Sequence, residues 1–322
     1  MLTGSDRMKQ RPISILVNSL RELGASIDYA EKQGFPPIKI QEGSFSGNSI
    51  AIDGGVSSQY ISSLMLIAPM LTNGLEINIV NDLVSRPYLE MTVQLMSHFG
   101  ADVHFENSFI NINPRPYKIA QFSVESDWSA ASYWYEVMAL SDAGEVELMG
   151  LKPTSLQGDS VVSAIFKNFG VETAYTSEGV ILRKVDAEQL NVFEYDFTLC
   201  PDLAQTVAVT CAGLGIEAKL TGLKTLKIKE TDRIVALKTE LGKFGISCSS
   251  SKDSLRIHSN NFEFQIQNSK FVQTYEDHRM AMAFAPLALR CKGVEIENPG
   301  VVNKSYPGFW KDLESIGFLF ES

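Results

Sequence analysis

Cysteine, histidine, positive charge and long apolar runs are what this 322-residue sequence has least of, and each shortage excludes something. Its four cysteines (Cys200, Cys211, Cys248, Cys291) show no CxxC spacing and sit mostly in apolar contexts. They read as reduced core or strand residues of a cytosolic protein, not as a disulfide frame or a zinc site. The four histidines, His98, His104, His258 and His278, are scattered and form no metal-ligand pattern. No apolar run reaches the roughly 20 residues of a membrane-spanning helix, and the start MLTGSDRMKQR is too polar for a signal peptide or anchor. No membrane partner and a cytoplasmic location are therefore expected. Only 28 Lys and Arg stand against 38 Asp and Glu, a net charge of −10 that argues against a nucleic-acid partner and an anionic membrane surface. Any anionic substrate must be drawn by a local basic cluster. The 44% hydrophobic content and the length leave room for one large or two ordinary globular domains.

What is present, before any motif, is a repeat. Five times an amphipathic stretch ends in an apolar residue and a glycine: Leu23-Gly24, Phe99-Gly100, Phe169-Gly170, Phe244-Gly245 and Ile316-Gly317. Counted along the numbering, these glycines lie about 70 to 76 residues apart. Each suits the left-handed position that closes a helix, and in four units an alternating strand, a polar turn and a second strand follow. Examples are VHFENSFINI from Val103 and VETAYTSEGVILRK from Val171. The spacing suits a compact βαβαββ block and is too long for the usual solenoid repeats. Several such blocks predict two α/β domains built around buried helices. A Pro-containing stretch (Asn113 to Tyr117) followed by the Ser126-Asp127 cap sets the expected boundary, giving domains 1–124 and 125–322.

Helix starts carry the residues with chemistry. Lys229-Glu230-Thr231-Asp232-Arg233 opens a helix with an apolar stripe at Ile234, Leu237, Leu241 and Phe244, with Thr231 as the expected N-cap. Cations are mildly unfavourable at a helix N-terminus, so Lys229 and Arg233 there suggest that an anion completes the site. The alternative is a solvated cluster that pairs with itself. Arg11 precedes Pro12, which is expected to open a helix running through Leu23. Ser57-Ser58-Gln59 and Ser85-Arg86-Pro87-Tyr88 precede further helices, as caps or as oxyanion cradles. Pro201-Asp202 starts an almost wholly apolar helix; Asp202 is either a cap or a base that needs a fixed position. Thr274-Tyr-Glu-Asp-His-Arg279 places another arginine at a helix start, and Lys304 lies in a loop before the last helix. Taken together, the basic residues suit several phosphates or carboxylates, and arginine suits a bidentate grip on both.

At these residues the chain resembles the 5-enolpyruvylshikimate-3-phosphate synthases. The resemblance runs from Met1 to Ser322 through LTGSDRMKQRPI, DGGVSSQYISSL, LVSRPYLEMT, SDWSAASYW, CPDLAQT, KIKETDR, YEDHRMAM and NKSYPGFW, with KETDR and DHRMAM the most specific in combination. It implies the two-domain enolpyruvyl-transferase fold, an inverse α/β barrel of repeated βαβαββ units with helix N-termini directed at an interdomain cleft. It also implies transfer of the enolpyruvyl group of phosphoenolpyruvate to the 5-hydroxyl of shikimate-3-phosphate, through a tetrahedral adduct that loses phosphate. No metal or organic cofactor is expected, and the expected partners are these two small molecules and no second subunit. By motif position, Arg11, Gln59, Arg233, Arg279 and Lys304 would meet phosphoenolpyruvate. Ser57, Ser58, Gln59, Ser85, Tyr88, Asp202, Thr225 and Lys229 would hold shikimate-3-phosphate. Asp202 would take the 5-hydroxyl proton and Glu230 would assist proton transfer at the methylene carbon. Thr225 stands where the family usually has asparagine. The family's GSKSxSNR motif and GNAGT-like loop would lie upstream of Met1, so the chain is expected to correspond to the C-terminal three-quarters, without the N-terminal unit, and to be nearly inactive alone. Competing readings are a non-catalytic fragment with the same fold, a UDP-sugar enolpyruvyl transferase, disfavoured by the SSQ, KETDR and DHRMAM segments, and a nucleic-acid-end enzyme, disfavoured by the acidic charge.

Overall fold

The computed structural model describes residues 1–4, 6–55, 58–81, 83, 86–188, 190–258 and 270–321; the side chains of Arg7 and Ile228 are also outside the description. The chain divides into two compact units, Met1–Ser123 and Val124–Ser322. The first unit runs α1 (Asp6–Lys9), α2 (Ser14–Glu22), β1 (Ser26–Tyr29), β2 (Ile38–Gln41), β3 (Ser49–Asp53), α3 (Ser58–Ile67), β4 (Leu75–Val80), α4 (Arg86–His98), β5 (Asp102–Glu106) and β6 (Phe109–Asn113). Its four-stranded sheet has the order β3-β4-β6-β5, with β3 and β4 parallel and the other pairs antiparallel. Strands β3 and β4 alternate exposed and buried residues, which puts Ile50, Ile52, Leu75, Ile77 and Ile79 on the face covered by α3 and α4.

The second unit runs α5 (Trp128–Leu140), β7 (Glu145–Met149), α6 (Val162–Phe166), β8 (Val171–Tyr175), β9 (Gly179–Lys184), β10 (Val192–Asp196), α7 (Ala204–Leu214), β11 (Glu217–Thr221), α8 (Arg233–Lys243), β12 (Cys248–Ser250), β13 (Leu255–Ile257), β14 (Lys270–Val272), α9 (His278–Phe284), β15 (Val294–Ile296) and α10 (Phe309–Ser315). The block from β10 to β13 repeats the first unit's topology: order β10-β11-β13-β12, one parallel pair and two antiparallel ones. The block from α5 to β9 forms a three-stranded sheet, β7-β9-β8. Among the described residues nothing pairs with β7 where β3 pairs with β4, and a cavity of about 440 Å³ lies beside it, lined in part by Val146, Leu148, Trp134 and Ile316. Strands β14 and β15 form a parallel pair. All of these sheets are open.

Burial explains the inverted layering. Helix α5 buries Trp128 and every residue from Ala131 to Leu140, and α7 every residue from Ala204 to Gly213. A helix apolar on all sides has no face for water and must lie inside, with sheets and amphipathic helices such as α8 around it. Each large side chain so buried contributes about 1.5–3 kcal/mol. The five repeat glycines all have positive φ, from 74° at Gly170 to 108° at Gly24. At Gly24 a β-carbon would also lie 2.3 Å from the Ser44 carbonyl oxygen, so the turn requires glycine twice over. Antiparallel strand pairs follow four of them, β1–β2, β5–β6, β8–β9 and β12–β13.

Three helix starts differ from expectation. Asp232, not Thr231, is the N-cap of α8, its Oδ1 accepting from the Val235 N–H at 3.2 Å, because an anionic cap also complements the helix dipole. Pro12 lies outside α2, which starts at Ser14, because the Ile13 N–H turns to the Gly34 carbonyl. The segment Pro299–Lys304 is a 3₁₀ turn rather than plain loop. Asp127 caps α5 as expected, accepting from Ser129 N–H at 2.8 Å.

Candidate active site

In the second unit the chemically interesting residues recur at one place in the topology, between the C-terminal end of a strand and the next helix. Asp202 follows β10, Lys229 to Arg233 follow β11, Asp277 and Arg279 follow β14, and Lys304 follows β15. The parallel pairs β10–β11 and β14–β15 send these connections out on the same side of their sheets, where open α/β sheets gather ligands.

Arg233 is the centre. It is 2% exposed, and its guanidinium is enclosed by three carboxylates. Nε donates to Asp277 Oδ2 at 2.6 Å, Nη2 to Asp277 Oδ1 at 3.3 Å and to Glu230 Oε2 at 2.9 Å, and Nη1 to Asp202 Oδ1 at 3.1 Å. Four of its five N–H groups thus meet protein oxygens. The self-pairing alternative holds for Glu230 alone: Asp202 and Asp277 come from elsewhere in the chain, and the Arg233 guanidinium lies buried among all three. Arg233 accordingly acts as the frame that holds Asp202 and Glu230 in place.

Asp202 is largely buried and ion-paired with three cations. Its Oδ1 faces Arg233 and, at 3.7 Å, Lys229 Nζ, while Oδ2 lies 3.1 Å from Arg279 Nη2. Burial alone would raise its pKa, but Arg279, Lys229 and Arg233 outweigh that and hold the carboxyl well below the usual range. Asp202 lies in the first turn of the 3₁₀ segment Pro201–Leu203, whose N-cap position is held by Cys200. Glu230 is ion-paired with Arg233 and with Lys304 Nζ; burial pushes its pKa up, yet the Lys304 hydrogen bond and the Arg233 charge bring it down to about 2. Arg279 reaches Tyr133 Oη and the Asp202 carbonyl, each at 3.4 Å. Burial drives the Tyr133 hydroxyl up to about 12, so it stays protonated.

Asp277 carries this arrangement without having been singled out from the sequence. It is fully buried, caps α9 by accepting from the Arg279 N–H at 2.9 Å, and grips Arg233 with both oxygens. The turn before it holds Tyr275 and Glu276 at φ 54° and 57°, two successive left-handed non-glycine residues that cost about 1–3 kcal/mol each. Glu240 on α8 pins that turn, accepting from Tyr275 Oη at 2.7 Å and from Gln273 N–H at 3.0 Å. The adjacent His278 is buried, its Nδ1 3.7 Å from Asp277 Oδ1 and without a hydrogen-bond partner among the described residues, and burial followed by the Arg279 charge lowers its pKa to about 4. The Thr225 hydroxyl, in the 3₁₀ turn Lys224–Ile228, is also buried without a hydrogen-bond partner among the described residues.

In the first unit, Ser58 and Gln59 open α3 and Tyr88 lies in the first turn of α4, again after parallel strands β3 and β4. The Arg11 charge reaches Tyr60, whose hydroxyl donates to the Pro12 carbonyl at 2.5 Å. Ser57 and Ser85 lie outside the described residues.

A carboxylate among three cations, at helix starts of a βαβαββ repeat, is what the motifs anticipate, and comparison with known proteins decides the family. The sequence profile described as EPSP synthase (3-phosphoshikimate 1-carboxyvinyltransferase) matches residues 1–313. The chain belongs to the EPSP synthase family. It is 49% identical over 318 residues to a 3-phosphoshikimate 1-carboxyvinyltransferase of Bacteroides fragilis, covering 98% of this chain and 77% of that protein. To the protein of the same name from a Sulfurovum species it is 37% identical, covering 98% and 73%. The EPSP synthase structure from Acinetobacter baumannii superimposes with a TM-score of 0.78 at 22% identity over 99% of this chain and 74% of that one, a likeness of fold. Among the described residues of this family member no cluster of His, Cys, Asp and Glu is arranged to hold a metal ion, and no helix is long and apolar enough to cross a membrane.

Proposed function

We propose that the chain transfers the enolpyruvyl group of phosphoenolpyruvate to the 5-hydroxyl of shikimate-3-phosphate, releasing phosphate, and works on these small molecules as a cytoplasmic monomer. The observation that carries the reading is the Asp202 carboxylate fixed by Lys229, Arg233 and Arg279 in a chain 49% identical to a protein named for that reaction. Asp202 takes the 5-hydroxyl proton as the oxygen attacks the enol carbon; a base does this only within hydrogen-bond reach and in its charged form, which the three cations favour. Glu230, paired with Lys304, relays a proton at the methylene carbon, which is protonated in the adduct and deprotonated as the carbon–oxygen bond to phosphate breaks. Arg279 and Lys304 stabilise the carboxylate and the departing phosphate, the preorganised charge that dominates such steps. Arg233 supports this indirectly, since its fork is occupied by Asp277, Glu230 and Asp202. Lys229, Thr225 and, in the first unit, Ser57, Ser58, Ser85 and Tyr88 are assigned to shikimate-3-phosphate, and Arg11 and Gln59 to phosphoenolpyruvate, by the resemblance. The unpartnered Thr225 hydroxyl fits a sugar contact.

A second reading, a fold-retaining member with little turnover of its own, is favoured by one observation: the chain spans 77% of its Bacteroides relative. Phosphate release with both substrates separates the two, measured for this chain and for a version carrying the further sequence its relatives have. Turnover in either form supports the transferase; comparable turnover in both rejects the second reading. Absence of turnover in both overturns the proposal.

A further inference from the structure

One buried acid beside this cluster is used by none of the steps above. We propose that Asp159 is a positioning residue of the cluster: a buried carboxyl, anchored by Ser129 with its other oxygen unpartnered, whose charge state sets how strongly the cations around Asp202 hold an anion. This rests on reading those cations as an anion site. Asp159 lies in the 3₁₀ turn Gly158–Val161 after β7, the strand-to-helix position that the other site residues also occupy. It is 4% exposed; Oδ2 accepts from the Ser129 hydroxyl in the first turn of α5, and Oδ1 is buried with no partner among the described residues. Ser129 and Tyr133 stand one turn apart on α5, the first bonded to Asp159 and the second reached by Arg279, which puts Asp159 on the side of α5 that meets the cluster; Asp202 and Asp127 oppose its ionisation, and the Ser129 hydrogen bond and Arg279 favour it.

Burial first, and the Asp202 charge next, raise its pKa to about 6, against the pull of Ser129 and Arg279. Below that pH the cluster's cations face three carboxylates, Asp202, Glu230 and Asp277; above it they face a fourth. A purely architectural role is weak, because α5 is already held by other side chains. Gln157 Oε1 accepts from the Trp128 N–H at 2.9 Å, Gln157 Nε2 donates to the Ser126 carbonyl at 2.8 Å, and Asp127 caps Ser129. An asparagine at 159 would still accept from Ser129, so the negative charge is not needed to hold the turn.

The test is sulfate affinity, since sulfate does not titrate in the useful range and needs no turnover. Calorimetry at low ionic strength, at pH 5 and pH 7.5, would compare the full chain with its D159N and S129A variants, with melting curves alongside. The unmodified chain should bind sulfate about fivefold or more weakly at pH 7.5, the size of coupling that one nearby charge produces. D159N should bind equally at both pH values and match the unmodified chain at pH 5. S129A loses a bond that favours the ionised form, so its transition should move to higher pH. His278 and Glu230 change charge below this window, near 4 and 2. A pH ratio unchanged in D159N, or no pH dependence in the unmodified chain, overturns the inference alone. Absence of sulfate binding at both pH values overturns the anion-site reading and the inference with it.

Discussion

Replacing Asp277 by alanine removes two structural functions in one side chain, and the structure sets the size of the loss. The carboxylate caps α9 through the Arg279 N–H at 2.9 Å, a contribution of about 1 kcal/mol. It also gives Arg233 two hydrogen bonds, at 2.6 and 3.3 Å, where that guanidinium is almost inaccessible to water. Breaking a buried ion pair costs about 3–5 kcal/mol when one partner is left alone. Here Asp202 and Glu230 remain against Arg233, so the lower part of that range applies, and the sum is about 3–4 kcal/mol. D277N keeps one acceptor oxygen, enough for the cap, but turns its amide N–H towards Arg233 Nε, so it should recover only the cap's contribution of about 1 kcal/mol. All three tryptophans, Trp128, Trp134 and Trp310, lie in the second unit, so urea unfolding followed by tryptophan fluorescence reports that unit specifically. An alanine variant within about 1 kcal/mol of the parent would refute the idea that Asp277 holds the cluster together.

R279A should weaken phosphoenolpyruvate binding at least tenfold, since removing a buried charge partner costs about 2–5 kcal/mol; calorimetry showing unchanged affinity would return Arg279 to a structural role. D202N leaves Lys229, Arg233 and Arg279 short of a partner, so stability should fall by about 1–3 kcal/mol and turnover of an active form by about 10² or more; surviving turnover would exclude Asp202 as the base. Glu230, with its pKa lowered to about 2, contributes stability that is present above its unfolded value near 4.5 and lost as pH falls towards 2; E230Q should flatten that part of an acid unfolding curve. Glu136 is the opposite case: buried in α5 with neither oxygen hydrogen-bonded among the described residues, its pKa is raised by burial, so its contribution is fully present below 4.5 and lost as pH rises. E136Q should therefore be more stable than the parent at pH 7 by about 1–3 kcal/mol in urea, and a less stable variant would contradict this.

How much of this was legible in the sequence follows from where the physics is local. The glycine at each helix end is a one-residue constraint, so Gly24, Gly100, Gly170, Gly245 and Gly317 announced the repeat, and all five have positive φ. Alternation over five or six residues likewise announced the β5–β6 and β8–β9 hairpins. Helix starts were legible to within a residue or two, because Thr231 and Asp232 are both good caps and only the three-dimensional path chooses between them. The partners of the charges were not legible. Arg233 and Asp277 are 44 residues apart and meet only because β11 and β14 deliver their connections to one place. The strained Tyr275-Glu276 turn carries no glycine or asparagine to mark it. Asp159 follows Gln157-Gly158, a sequence that reads as an ordinary turn, and its closeness to Asp202 comes entirely from packing around α5.

The arrangement also answers how a chain of net charge −10 accommodates anions. Four cations, Lys229, Arg233, Arg279 and Lys304, face the three carboxylates of Asp202, Glu230 and Asp277, a local surplus of one positive charge. A surplus that small attracts little by itself. The carboxylates instead hold the cations at fixed points, so on the proposed function a ligand anion would meet donors already oriented, with Arg233 and Arg279 shielded from water, where each contact is stronger. Asp277 and Glu230 fix Arg233, Arg233 in turn fixes Asp202, and Asp202 steadies Arg279 and Lys229. Ionised Asp159 brings the sum to zero, which is why a single carboxyl at that position has leverage over anion affinity. An acidic protein can thus hold phosphates and carboxylates tightly, provided its own acids are what organise its bases.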